Sequence, residues 1–255
     1  MIGPTPLLDF FKRGEVERDV RVLAAQGALA PRAYEQLAIL VFLLDDADQE
    51  IRTLANETLD RIPVEALQTF LAQPDVPMNM LEFFGDRGVF PSEIVQIDPE
   101  APLVDAEPSD EPDDAEEDRD SVFQRLAQMT FPQRLKAAVK GTKEMRAILI
   151  RDPNKLICAT VLSSPKLTEQ EVESFARMAT IPEDVLRTIA TNRTWTKNYT
   201  IVLGLTKNPK TPLAVSLNLM NRLNARDMNS LSVDRNVPEP LRIAARKRSV
   251  AGQSR

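Results

Sequence analysis

Between Asp98 and Asp120 the chain reads DPEAPLVDAEPSDEPDDAEEDRD, with twelve acidic residues, one arginine, four prolines and almost no apolar periodicity. A segment of this kind cannot bury enough apolar surface to offset the entropy of ordering it. It is therefore expected to be a disordered linker, and it confines everything foldable to two lobes, 1–97 and 121–255. The division is also electrostatic. From Ser121 onward there are 23 Lys+Arg against 10 Asp+Glu, a net of +13, whereas the residues before Ser121 carry 9 against 28, a net of −19. The overall charge of −6 conceals that asymmetry.

Composition next removes whole classes of chemistry. Histidine is absent, which takes away the commonest proton shuttle near neutral pH and the usual zinc ligand sets. A single cysteine, Cys158, leaves no intramolecular disulfide framework and fits a reducing compartment. On an apolar helix it is expected to be a core residue and not a nucleophile. Neither a G-x-x-x-x-G-K-[ST] loop nor a G-x-G-x-x-G turn is present to cradle phosphates. The expectation is a non-enzyme with no catalytic residue, no metal and no cofactor. The opening MIGPTPLLDFFKRG lacks a basic stretch followed by an apolar run and a small-residue cleavage site, and no window holds about 18 uninterrupted apolar residues. A cytoplasmic protein without a membrane span is expected.

Both lobes read as helices. In the first, Tyr34, Leu37, Ala38, Val41, Phe42 and Leu44 recur at helical spacing, and Ile51, Leu54, Ala55, Leu59 and Ile62 form a second stripe that Asp46 or Asp48 can cap. Pro63 opens a following helix with Leu67, Phe70 and Leu71 inward. In the second lobe the punctuation recurs. Polar turns at Asp152-Pro153, Asn192-Arg193 and Asp234-Arg235 are 40 and 42 residues apart, and a second series at Ser164-Pro165 and Asn208-Pro209 is 44 apart. Each first-series turn precedes an apolar helix: Leu156, Ala159, Thr160 and Leu162; Tyr199, Ile201, Val202 and Leu205; Leu241, Ile243, Ala244 and Ala245. Thr168 with Glu171 forms a capping box, and Thr211 precedes Pro212 at a helix start. A third helix per unit, 182–191 and 225–232, gives about three helices per period of roughly 40–47 residues.

On these residues two resemblances arise. Ile51, Arg52, Ala55 and Leu59 after an Asp-rich turn resemble the second helix of a HEAT repeat. The Asn-Pro turn and Thr-Pro helix start of NPKTP, Asn208 to Pro212, resemble leucine-rich-repeat-variant units, which are all-helical stacks; the match spans roughly 145–246. The resemblance implies an all-α fold, an α-solenoid of HEAT-like (armadillo-type) repeats in two lobes joined by the acidic linker. Members of that family with an iron–sulfur cluster hold it through a group of cysteines, which this chain lacks, so no cluster is implied.

Helical arrays of this type bind partners along their surfaces. The candidate partner-binding residues are Arg193, Trp195, Lys197 and Tyr199 in NRTWTKNYT, together with Lys207, Lys210 and Arg235 in the turns. Tryptophan, tyrosine and arginine most often carry interface binding energy. Trp195 either anchors a partner or packs across the seam between repeats, with Tyr199 then in the core. Arg222, Arg226, Arg242, Arg246, Lys247 and Arg248 extend a positive stripe if the repeats align it, or are a solvated face near helix ends. The expected function is a scaffold or adaptor that binds a protein and not a membrane. The alternative is a nucleic-acid-binding module in the basic lobe, with the acidic linker competing for it as an autoinhibitor.

Overall fold

The computed structural model describes residues 5–29, 32–92, 103–104 and 119–253, and among them all regular structure is helical. The acidic stretch expected to be a disordered linker lies outside the described residues, apart from Leu103, Val104 and the first residues of a helix that begins at Arg119. The chain forms two compact units: Met1–Arg146 with Ala159–Lys166, and Ala147–Cys158 with Leu167–Arg255. The division thus falls after Arg146, later than the change of charge at Ser121.

The first unit contains α1 (Pro6–Lys12), α2 (Arg18–Ala25), α3 (Ala33–Leu43), α4 (Gln49–Asp60), α5 (Val64–Leu71), α6 (Met78–Gly85), α7 (Arg119–Gln128) and α8 (Phe131–Lys140). Helix α1 starts where it does because Thr5 accepts the Leu8 N–H at 3.4 Å and Pro6, lacking a donor, occupies the first turn. Helix α4 is capped by Asp48, which accepts the Glu50 N–H at 2.9 Å, and it buries Ile51, Ala55 and Leu59 as its stripe requires. Arg18 reaches Asp48 at 2.7 Å and Arg21 reaches Asp46 at 3.0 Å, so charge ties α2 to the start of α4. Arg52, the arginine of the HEAT-like helix, donates to the Asp46 carbonyl.

Helix α3 is packed between α1, α2 and α4, and the sequence stripe misplaces its buried face. The buried residues are Ala33, Glu35, Gln36, Leu37, Ile39, Leu40 and Leu43, whereas Phe42 is 40% exposed and Tyr34, Ala38, Val41 and Leu44 are only partly covered. The reason is that AYEQLAILVFL is apolar on nearly every side, so periodicity cannot select a face. Two polar residues then turn inward because partners await them.

The second unit holds α11 (Glu169–Arg177), α12 (Glu183–Thr191), a 3-10 turn (Trp195–Lys197), α13 (Tyr199–Lys207), α14 (Leu213–Met220), α15 (Ala225–Val233) and α16 (Glu239–Gln253). The boundary between units passes through α9 (Lys143–Leu149) and α10 (Lys155–Ser163). The expected capping box forms: the Thr168 hydroxyl accepts the Glu171 N–H at 3.3 Å while the Glu171 carboxylate accepts the Thr168 N–H at 2.9 Å. Pro182 and Pro212 stand at the N-caps of α12 and α14.

Hydrogen bonds fix how these helices lie. The Asn208 amide, at the C-terminal end of α13, donates to the Ala176 and Met178 carbonyls at the end of α11, at 2.9 and 3.0 Å. At the other end, Thr200 donates to Glu173 at 3.1 Å. Helices α11 and α13 are therefore parallel neighbours. A side chain on Gly204 would stand 3.2–3.3 Å from Arg177 and Ala176, so glycine permits their close approach. Tyr199 bonds to Asn224 and Asp227 at the start of α15, and Lys207 donates to Ser230 at 3.2 Å, which makes α15 parallel as well. The three helices begin at Glu169, Tyr199 and Ala225, intervals of 30 and 26 residues. These intervals are shorter than the 40–44 read from the turns, because alternate turns belong to opposite ends of the helices. The end of the chain closes over Met220, Met228, Leu231, Val237, Leu241 and Ala245. Ile243, expected inward, is instead 45% exposed.

Candidate binding surface

Most interhelical turns of the second unit, though not the α11–α12 turn, are built by an Asn or Asp side chain that accepts a backbone N–H two or three residues on. Asn192 accepts from Thr194, Asn198 from Thr200, Asn208 from Lys210 and Asn224 from Asp227, all at 2.8–2.9 Å. Such turns satisfy the helix ends internally, and they project the intervening side chains outward. Arg193, Lys197, Lys210 and Arg235 all occupy positions of this kind and are exposed, with no hydrogen bond or ion pair to any described residue.

The parallel packing of α13 and α15 sorts the seven candidate residues into two groups. Arg193, Trp195 and Lys197 precede α13, and Tyr199 is its first residue; Lys207 and Lys210 lie at or beyond its last turn. Eight residues of helix rise separate the groups by about 12 Å. Arg235 follows α15 and so joins Lys207 and Lys210. The expected single stripe is thus replaced by two basic edges at opposite helix ends, because turns that alternate along the chain alternate in space.

The edge holding Trp195 is the richer. Trp195 is half-buried, and its indole N–H meets no acceptor among the described residues. Tyr199 is 37% exposed; its hydroxyl donates to Asp227 at 2.5 Å and accepts the Asn224 N–H at 3.2 Å. Burial first, and the bond to Asp227 next, raise its phenol above the ordinary value of 10. Arg222 donates to the Thr196 carbonyl at 2.5 Å, which pins the 3-10 turn, and Arg248 donates to Asn221. Arg226 is exposed and makes no such bond to a described residue. Aromatic surface, a donor with no acceptor among the described residues and exposed cationic groups therefore coincide here, a combination enriched where proteins meet. At the opposite edge the bases are partly matched by acids, for Asp184 pairs with Lys155 at 2.7 Å and Glu173 with Arg177 at 2.6 Å.

The Cys158 thiol is buried, donates to the Ile150 and Asp152 carbonyls at 3.3 and 3.2 Å, and is pushed up to about 12 by burial and by the nearby Asp152 charge. Among the described residues no cluster of three or more carboxylate or thiol ligands could hold a metal, and no helix is long and apolar enough to cross a membrane. Sequence reading overlooked Gln36 and Glu35, and it placed Asn208 in a turn without its bonds to the end of α11. The one available signal was a Glu-Gln pair set in an otherwise apolar helix. Comparison with protein-family models, with characterised proteins and with solved structures finds no match to this chain.

Proposed function

We propose that the chain is a non-catalytic, cytoplasmic scaffold or adaptor, an α-solenoid of HEAT-like repeats that binds a protein through the edge around Trp195. The solenoid reading is supported by the parallel α11, α13 and α15 and by the hydrogen bonds between them, which span 23 to 32 residues of sequence, about one repeat each. The observation that carries the binding reading is the indole N–H of Trp195, which meets no acceptor among the described residues and is flanked by Arg193 and Lys197, neither of which pairs with a described acid. A protein segment offering an acceptor to the indole and carboxylates to the two bases fits that edge.

The test is photo-crosslinking in a cell extract from a reactive group placed at the exposed Thr194 of the full chain, which leaves Arg193, Trp195 and Lys197 intact. A discrete protein adduct is expected, and Trp195→Ala should remove it without changing the circular dichroism spectrum. An adduct that is nucleic acid, or one unaffected by Trp195→Ala, would refute this assignment. In the nucleic-acid case affinity would fall steeply with salt, in proportion to the phosphates contacted.

A further inference from the structure

Gln36, in the first turn of α3, is 1% exposed, and every hydrogen-bonding position of its amide is used. The nitrogen donates to the Gly27 carbonyl at 3.2 Å and to the Val104 carbonyl at 2.7 Å. The oxygen accepts the Leu103 N–H at 2.7 Å and the Val104 N–H at 3.1 Å. Three of the four bonds thus go to the backbone of one dipeptide, more than 60 residues away in sequence. The Gln36 amide therefore reads main chain and not side-chain polarity.

The surroundings are shaped for such a guest. Gly27 has φ of +82°, and a side chain there would stand 3.3 Å from the Gln36 amide nitrogen, 3.4 Å from the Thr58 methyl and 3.7 Å from the Val104 carbonyl. Only glycine combines that backbone with that clearance. Beside it lies an open cleft of about 690 Å³, walled by Leu23, Gln26, Ala28, Leu54 and Thr58 among others, so the surface continues past the two residues that are clamped. Within Asp98–Asp120, Leu103 and Val104 are the only two large aliphatic residues, and they are adjacent.

We propose that Gln36, Gly27 and the adjoining cleft form a docking site for a segment of this same chain, with Leu103–Val104 as its displaceable occupant. Without that occupant the buried amide oxygen loses both its donors, so an empty site is disfavoured. The site is separate from the Trp195 edge and stands whether or not that edge binds a protein.

A fluorescent peptide of residues 98–110 serves as the probe. Replacing both Leu103 and Val104 by proline in the full chain removes the two N–H donors and vacates the site. The peptide should bind this variant at least about tenfold more tightly than it binds the wild type, where a tethered competitor acts at an effective concentration of order millimolar. Adding Gln36→Leu to the vacated chain should abolish binding, and a peptide with its own Leu and Val changed to proline should not bind. Equal affinity for vacated and wild-type chains, or none for a vacated chain with a native melting curve, overturns the proposal. A second readout needs no variant: the Leu103 and Val104 amides of the wild-type chain should exchange slowly with deuterium and lose protection as peptide is added. Rapid exchange without peptide, or protection unmoved at saturating peptide, overturns it too.

Discussion

The two units handle buried polarity in different ways. In the first, polar contacts join unrelated segments once: Thr5 to Glu35, Gln36 to Leu103–Val104, Arg21 to Asp46. In the second, the same kind of contact recurs at several helix ends, Asx side chains closing turns while Asn198 and Asn208 also reach back about one repeat to the parallel neighbour. A single-use contact leaves no periodic trace in a sequence, whereas a recurring one does. That difference decides what could be read in advance. It also decides where each unit is weakest, since the first depends on individual buried groups and the second on joints between like helices.

The largest effect should come from breaking a joint. Asn208→Ala removes the bonds to the Ala176 and Met178 carbonyls and to the Lys210 N–H, and leaves the Met178 carbonyl only the Ile181 N–H at 3.5 Å. At roughly 1–1.5 kcal/mol for each buried bond, a loss of about 4 kcal/mol is expected in urea unfolding of the second unit. A loss under about 1 kcal/mol would show that α11 and α13 are held by apolar packing alone.

In the first unit the comparable test is electrostatic. Glu35 is fully buried; its Oε1 accepts from Thr5, and its Oε2 has no partner among the described residues. Burial raises its carboxyl from 4.5 to about 7, against the smaller opposing pulls of the Thr5 bond and the Arg32 charge. The folded state therefore retains a proton that the unfolded chain releases. Stability from this group is full below about pH 4.5, is lost progressively as pH rises through 7, and is flat above that. Glu35→Gln cannot ionise, so it should raise stability by about 3 kcal/mol at pH 8 and change little near pH 4. A melting curve whose pH dependence is the same in both proteins would mean that Glu35 reaches water.

Much of the helical content was legible, and the reasons are local. Of the stripe Ile51, Leu54, Ala55, Leu59 and Ile62, all but the half-buried Leu54 are buried as read, because α4 has one apolar face and one charged face. The helix starts at Asp48 and Thr168 were legible because caps act within three residues. Helix α3 was misread because it has no polar face to define its orientation, and its inward Glu35 and Gln36 answer to Thr5 and Leu103–Val104 at distances no sequence window spans. The basic turn residues were identified individually, but their division between two edges follows from the parallel packing of α13 and α15. A pattern along the chain does not encode that. The Thr168 cap offers a calibrated check on the legible part: Thr168→Ala should cost about 1 kcal/mol, and an unchanged melting temperature would place the start of α11 elsewhere.

The smallest effects separate basic residues that hold the second unit together from those that are free to bind. Arg222 donates to the Thr196 carbonyl and so fixes the turn that carries Trp195, and Arg222→Ala should cost about 1 kcal/mol, as for one hydrogen bond from a charged donor at a partly exposed site. Arg193 and Lys197 make no bond to a described residue, and their double replacement by alanine should change stability by less than about 0.5 kcal/mol. The same double variant should still lose the crosslinked protein, because the bases it removes have no partner among the described residues. Loss of stability on removing Arg193 and Lys197 would assign them to the fold, and the Trp195 edge would then resemble the first unit, where each buried polar group has one internal partner.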